Sequence, residues 1–139
     1  MSGNRKIFFD TTPLIYFLEN STEFSKSVEQ KINECIQTRA NIFISVLGCG
    51  EYLVVPYREK DKDQEKRFFK FIKDLNIKVT DINLEIMKSA AQLRAKYKFL
   101  KTPDAIQIAT AIDIGCDEFY TNDVALKKVK EIEVSLIEI

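Results

Sequence analysis

The chain has 139 residues and no histidine. That absence removes Ser-His-Asp and Cys-His catalysis, histidine-ligated zinc and imidazole acid–base chemistry. Any reaction must rest on carboxylates, hydroxyls, lysines or a metal held by oxygen. Cysteine is sparse and odd in number: Cys35, Cys49 and Cys116 lie far apart, with no CxxC pair and no metal-ligand spacing. They read as reduced, half-buried, small apolar residues. Four glycines and three prolines leave no linker or low-complexity tract. No apolar run approaches the roughly 20 residues of a membrane span, and "MSGNRK" leads into no signal-peptide pattern. The expectation is one soluble, cytoplasmic domain over residues 1–139. Net charge is also missing, since 21 basic residues balance 21 acidic ones. Nothing draws the whole molecule to nucleic acid, but a local basic patch remains open.

What is present is an alternation of short β-like runs with helical periodicity. "KIFF" (6–9), "NIFISV" (41–46), "IKVT" (77–80), "EFYT" (118–121) and "EVSLIEI" (133–139) read as five strands. After the first, "TTPLIYFLE" reads as a helix with Thr11 or Thr12 as N-cap and Pro13 at the first helical position. Residues 22–38 place Val28, Ile32, Cys35 and Ile36 on one helical face. "LGCGEYLVV" predicts a helix whose two glycines delay its start to Gly50 and which Pro56 kinks or ends. Asp61 and Gln64 have capping-box spacing before Phe68, Phe71, Ile72 and Leu75. Residues 83–97 repeat Ile86, Ala90, Leu93 and Tyr97. "KTPDAIQIATAIDIG" predicts a deeply buried helix with Thr102 as N-cap, Pro103 first and Gly115 as terminator. "NDVALKKVK" reads as a short helix. Strands separated by helices, with no hairpin turn, imply parallel crossovers and a three-layer α/β/α domain.

In such a sheet, ligands bind outside the carboxyl ends of the strands. Four acids fall at that edge. Asp10 follows the first strand, Glu51 lies about a turn past the second, Asp104 opens the buried helix, and Asp123 follows the fourth strand. Each also has a structural reading: Asp10 as an Asx-turn residue, Asp104 as a helix-dipole partner, Asp123 as a cap. Glu51, among Cys49, Tyr52, Leu53 and Val54, needs a partner. Four carboxylates at one edge repel and cannot all ionise in a dry site, and a divalent cation resolves this. Hard oxygen donors without histidine or cysteine point to Mg²⁺ or Mn²⁺, a setting suited to phosphoryl chemistry. A phosphoaspartate enzyme of the haloacid-dehalogenase type would want a second aspartate where Thr12 stands. No glycine-rich phosphate loop follows the first strand.

"FFDTTPLIYFLE", "ISVLGCGEYLV", "KTPDAIQIATAI" and "FYTND", in this order, resemble the PIN domain across essentially the whole chain. The likeness is nearest to the stand-alone VapC-type toxin ribonucleases. It implies a PIN-like fold with a five-stranded parallel sheet and a Mg²⁺- or Mn²⁺-dependent endoribonuclease. It also implies an RNA substrate, an antitoxin partner and a homodimer. Carried over, the acidic quartet falls on Asp10, Glu51, Asp104 and Asp123. Asp10 and Asp104 would bind the metal, Glu51 would hold or orient the attacking water, and Asp123 would support the metal or a second one. Thr11 and Thr121 match hydroxyl positions beside the acids. The alternatives are a PIN-like protein-binding module without activity, or a PIN nuclease outside any toxin pair. Two stretches mix basic and aromatic residues, 58–73 and 94–101. The second precedes Asp104, which makes Lys98 and Lys101 the better candidates for RNA contact. Helices such as 22–38 and 62–75 could instead form a groove for a partner helix.

Overall fold

The computed structural model describes residues 4–20 and 23–138. Five parallel strands, β1 (Lys6–Phe9), β2 (Asn41–Ser45), β3 (Lys78–Thr80), β4 (Glu118–Thr121) and β5 (Glu133–Leu136), form one sheet in the order β3-β2-β1-β4-β5. The chain therefore reverses its direction of winding at β1. That strand pairs on one side with β2 (Phe8↔Phe43) and on the other with β4 (Phe8↔Phe119). Alternation along the strands sorts their side chains between two cores. Ile7, Phe9, Ile42, Ile44 and Tyr120 face α1 (Thr11–Glu19), α2 (Phe24–Thr38), α3 (Val46–Arg58) and α4 (Lys62–Asp74). Phe8, Phe119 and Val134 face α5 (Leu84–Lys96) and α6 (Thr102–Ile114). The result is the expected single α/β domain of three layers.

Several boundaries differ from the sequence expectation, each for a local reason. The cap of α1 is Asp10 rather than Thr11 or Thr12, because its carboxylate accepts from the Thr11 N–H and the helix starts at once. Pro13 is then the third helical residue, where no intrahelical donor is needed. Val46 opens α3 instead of closing β2. That helix starts four residues before Gly50, because the Ser45 hydroxyl accepts from the Gly48 N–H and offsets part of the glycine cost. It also runs through Pro56 to Arg58. Pro56 is buried, and its carbonyl accepts from the Asp61 N–H at 2.8 Å, tying the helix end into the turn to α4.

Asp61 does cap α4 (3.0 Å to the Gln64 N–H), but the Gln64 amide turns to the Tyr52 hydroxyl instead of closing the box. α6 is capped geometrically by Lys101 rather than Thr102, with no side-chain bond. It ends at Gly115, whose φ of 81° lies in the left-handed region. Ile36 on α2 and Ile112 on α6 face solvent rather than core, so each apolar stripe is one residue narrower than the pattern suggested. "NDVALKKVK" forms a single 3-10 turn, Val124–Lys128, capped by Asp123. Residue 22, in the expected second helix, lies outside the described residues. The cysteines are all free, Cys35 buried and the other two half-buried, as expected. Among the described residues no helix is long and apolar enough to cross a membrane.

Candidate active site

β1 ends at the point where the winding reverses, between β2 and β4, and Asp10 is the first residue beyond it. Its backbone N–H still donates to the Tyr120 carbonyl (2.9 Å), which fixes the residue to the sheet edge. The carboxylate is buried and held on both oxygens. One accepts from the Thr11 N–H (2.8 Å), the other from the Thr121 hydroxyl (2.8 Å). The Thr121 oxygen accepts in turn from the Asp123 N–H at 3.1 Å. The two threonines expected beside the acids thus touch them, Thr121 by binding Asp10 and Thr11 by binding Glu51.

Glu51 projects from the second turn of α3. Contrary to the expectation of a carboxylate in apolar surroundings, it is exposed, and its partner is the Thr11 hydroxyl at 2.6 Å. Asp104, in the first turn of α6, is half-buried. Asp123 is exposed and spends one oxygen on the Ala125 N–H (3.0 Å), so it caps the 3-10 turn while facing the same edge. Electrostatics link the four. Burial raises the Asp10 carboxyl to about 6, and the nearby Asp104 and Glu51 add to the rise against the lowering effect of its two hydrogen bonds. Burial also raises Asp104, with Asp123 and Glu51 pushing the same way and Lys101 opposing. Among the described residues none of the four acids forms a salt bridge.

The acids share an edge but do not converge. Among the described residues, no three acidic, histidine or cysteine side chains form a ready metal cluster. Their donor chemistry nonetheless fits a hard divalent ion. Every candidate donor is a carboxylate or hydroxyl oxygen, and among the described residues no basic side chain forms an ion pair with Asp10 or Asp104, both raised first by burial and then by neighbouring acids. Lys101 lies one turn before Asp104 and acts on it electrostatically, while Lys98 is exposed in the loop before α6. A cavity of about 630 Å³ lies elsewhere, between α2 and β5, lined by Lys31, Glu118 and Ser135 and by none of the four acids.

Sequence reasoning missed two residues, Ser45 and Gln107. The Gly48 N–H donates to the Ser45 hydroxyl (3.1 Å). Ser45 donates to the Gln107 carbonyl oxygen, Gln107 donates from its amide nitrogen to the Thr11 hydroxyl (3.2 Å), and Thr11 donates to Glu51. Every proton in this chain points one way, toward the Glu51 carboxylate. Gly48 lies against it, and a Cβ there would stand in close van der Waals contact, 3.4 Å from both the Gln107 amide nitrogen and the Thr11 hydroxyl. The available signal was Gln107 itself, an amide set in the apolar run "AIQIATAI".

A parallel α/β sheet with acids at the point where its strand order reverses belongs to the open α/β domains that place their sites outside the strands' carboxyl ends. The chain matches the PIN domain over residues 7–132 and belongs to that family. Solved structures share the fold. VapBC2 of Rickettsia felis, bound to a promoter DNA fragment, superposes with a TM-score of 0.79 at 14% identity, covering 96% of this chain and 99% of that one. A toxin–antitoxin complex from Klebsiella pneumoniae gives 0.71 at 25% identity, covering 91% and 94%. VapC20 of Mycobacterium tuberculosis, a toxin that cleaves the sarcin-ricin loop, gives 0.69 at 13% identity, covering 91% and 98%. No curated protein matches the chain in sequence.

Proposed function

We propose that this chain is a divalent-metal-dependent endoribonuclease, acting in the cytoplasm as the toxin of a type II toxin–antitoxin pair. The observation that carries the reading is Asp10, a carboxylate pushed up chiefly by burial and further by two neighbouring acids, and paired with no basic side chain among the described residues. Asp10 and Asp104 would hold the ion, Mg²⁺ or Mn²⁺, with Asp123 supporting it from the 3-10 turn. Such an ion supplies Lewis-acid chemistry, activating water as the nucleophile and neutralising charge at the scissile phosphodiester.

The remaining work falls to the protein. Thr121 fixes Asp10 in one rotamer. Thr11 occupies one Glu51 oxygen, so the other is free to accept from the attacking water and take its proton. Lys98 and Lys101 would meet phosphates of the incoming strand. The toxin role and an antitoxin partner draw on the assemblies in which the structural neighbours occur; a homodimer is proposed with them.

Purified protein should cleave single-stranded RNA with Mg²⁺ or Mn²⁺, and EDTA or Asp104→Asn should suppress it. Cleavage that persists in the variant would place the active centre elsewhere. If co-expression with the product of an adjacent small reading frame fails to abolish growth arrest, the toxin-pair assignment falls while the nuclease stands.

A further inference from the structure

We infer that Phe99 and Lys128, with Lys98 and Lys101 beside Phe99 in the chain, form a stacking and phosphate-binding track that leads single-stranded RNA to the acids. The inference rests on the nuclease reading above. Phe99 stands in the loop between α5 and α6 with 38% of its surface exposed. The Lys128 ammonium lies 5.3 Å from the centre of its ring, and Tyr97 meets it edge-on at 5.9 Å. The ring is therefore held between two elements rather than left loose. Tyr97 secures the arrangement, because its hydroxyl donates to Glu131 (2.7 Å) and accepts from the Lys130 N–H (3.1 Å).

The charges around the ring are unequal. Glu131, which accepts from the Tyr97 hydroxyl, is also engaged by Lys96 at 2.8 Å. Lys98, Lys101 and Lys128 form no salt bridge among the described residues. In a chain of zero net charge this is a local positive field. Its position relative to the acids follows from the chain. Phe99 and Lys101 lead directly into Asp104, and Lys128 closes the 3-10 turn that Asp123 opens. At about 2 Å rise per residue, that turn puts Lys128 on the order of 10 Å from Asp123. Both walls of the patch thus run to an acid of the site.

An aromatic face with a cation beside it offers one surface to a base and one to a phosphate, the two recurring features of an unpaired strand. An acidic peptide would use the lysines and gain nothing specific from the flat ring. Binding of a fluorescent oligouridylate in EDTA, where cleavage is blocked, separates the two. Phe99→Ala should weaken binding about tenfold, Phe99→Leu should do the same, and Phe99→Trp should retain it. Lys128→Gln should lower the slope of log K against log salt by about 0.7, between about 50 and 200 mM. Lys78→Gln, on the opposite edge strand, should change neither.

Binding by Phe99→Leu equal to the wild type overturns the track, as does a wild type that does not bind the oligonucleotide. Displacement by polyglutamate with no dependence on the ring assigns the patch to a protein partner instead. Mn²⁺-dependent cleavage of the same oligonucleotide reports on the nuclease reading separately. Cleavage with ring-independent binding sinks only the track, and ring-dependent binding without cleavage sinks only the nuclease.

Discussion

Replacing Gln107 with leucine tests the one-way chain of protons that ends on Glu51. Gln107 and Ser45 are fully buried, and every buried side-chain polar atom among the described residues has a partner. Leucine fills nearly the same volume but leaves the Ser45 hydroxyl without an acceptor and Thr11 without its donor. One buried donor stranded in this way costs about 2 kcal/mol. For a domain of this size that is a fall in Tm of roughly 7 °C. Ser45→Ala alone should also destabilise, since it removes the cap of α3 as well. In the double variant the stranded donor is gone, so the two losses should fall short of additivity by about 1 kcal/mol. Differential scanning calorimetry on the four proteins gives the cycle directly. Cleavage adds a second readout. With the Thr11 hydroxyl free to rotate, the turnover of Gln107→Leu should drop on the order of tenfold while KM stays put. Additive losses, or a Tm within a degree or two of wild type, would refute the chain as a structural unit. A lowered Tm with normal turnover would leave it as scaffold only.

Asp10 predicts an inverted pH dependence in metal-free protein. Its folded pKa, about 6, lies above the unfolded value near 3.8, so the folded state binds more protons between the two. Stability from this group is full below the unfolded pKa and lost as pH rises through about 6, a change of roughly 3 kcal/mol. Asp10→Asn should therefore melt higher than wild type at pH 7.5 without metal and match it near pH 4; a lower melt at neutral pH would contradict the assignment. Mn²⁺ should raise the Tm of the wild type at pH 7.5 but not that of Asp10→Asn, and equal shifts would remove Asp10 as a ligand. Gly50 has open space where a Cβ would stand and lies inside α3, so Gly50→Ala should raise the Tm by a few degrees, about 0.5–1 kcal/mol, and a loss of stability would show an unseen contact. Glu118 is buried and would be pushed up by burial, but hydrogen bonds from Lys31 and Ser135 bring it below the ordinary range. Lys31→Met should then cost roughly 3 kcal/mol at pH 7 and progressively less in acid, which urea melts across pH would detect.

The fold was legible because its signals are local. "IFF" and "FYT" alternate between two faces, and α6 announces itself with Pro103, Asp104 and Gly115. The acids were legible because strand ends can be located, and the four residues do reach one edge. What stayed hidden depends on contacts across long stretches of chain. The Ser45–Gln107 bond spans 62 residues and the Gln107–Thr11 bond 96, and no spacing rule reports such pairs. The early start of α3 is the same problem in local form. Two glycines argue against a helix at Val46 until the Ser45 hydroxyl is seen to cap it by accepting from the Gly48 N–H. Pro56 misled in the other direction, because its burial and its bond to Asp61 keep the helix going where propensity alone would stop it.

The pairing of β1 with β4 governs when the candidate site can assemble at all. Phe8 must meet Phe119, 111 positions later, before Thr121 can hold Asp10, and Asp104 and Asp123 are both supplied by the final third of the chain. Contacts of such long range form late, after the intervening loop has been closed. During synthesis the first hundred residues can emerge and collapse around β1 and β2 without the full set of acids. Under the proposed function, such a chain would stay inactive until nearly the whole domain had left the ribosome.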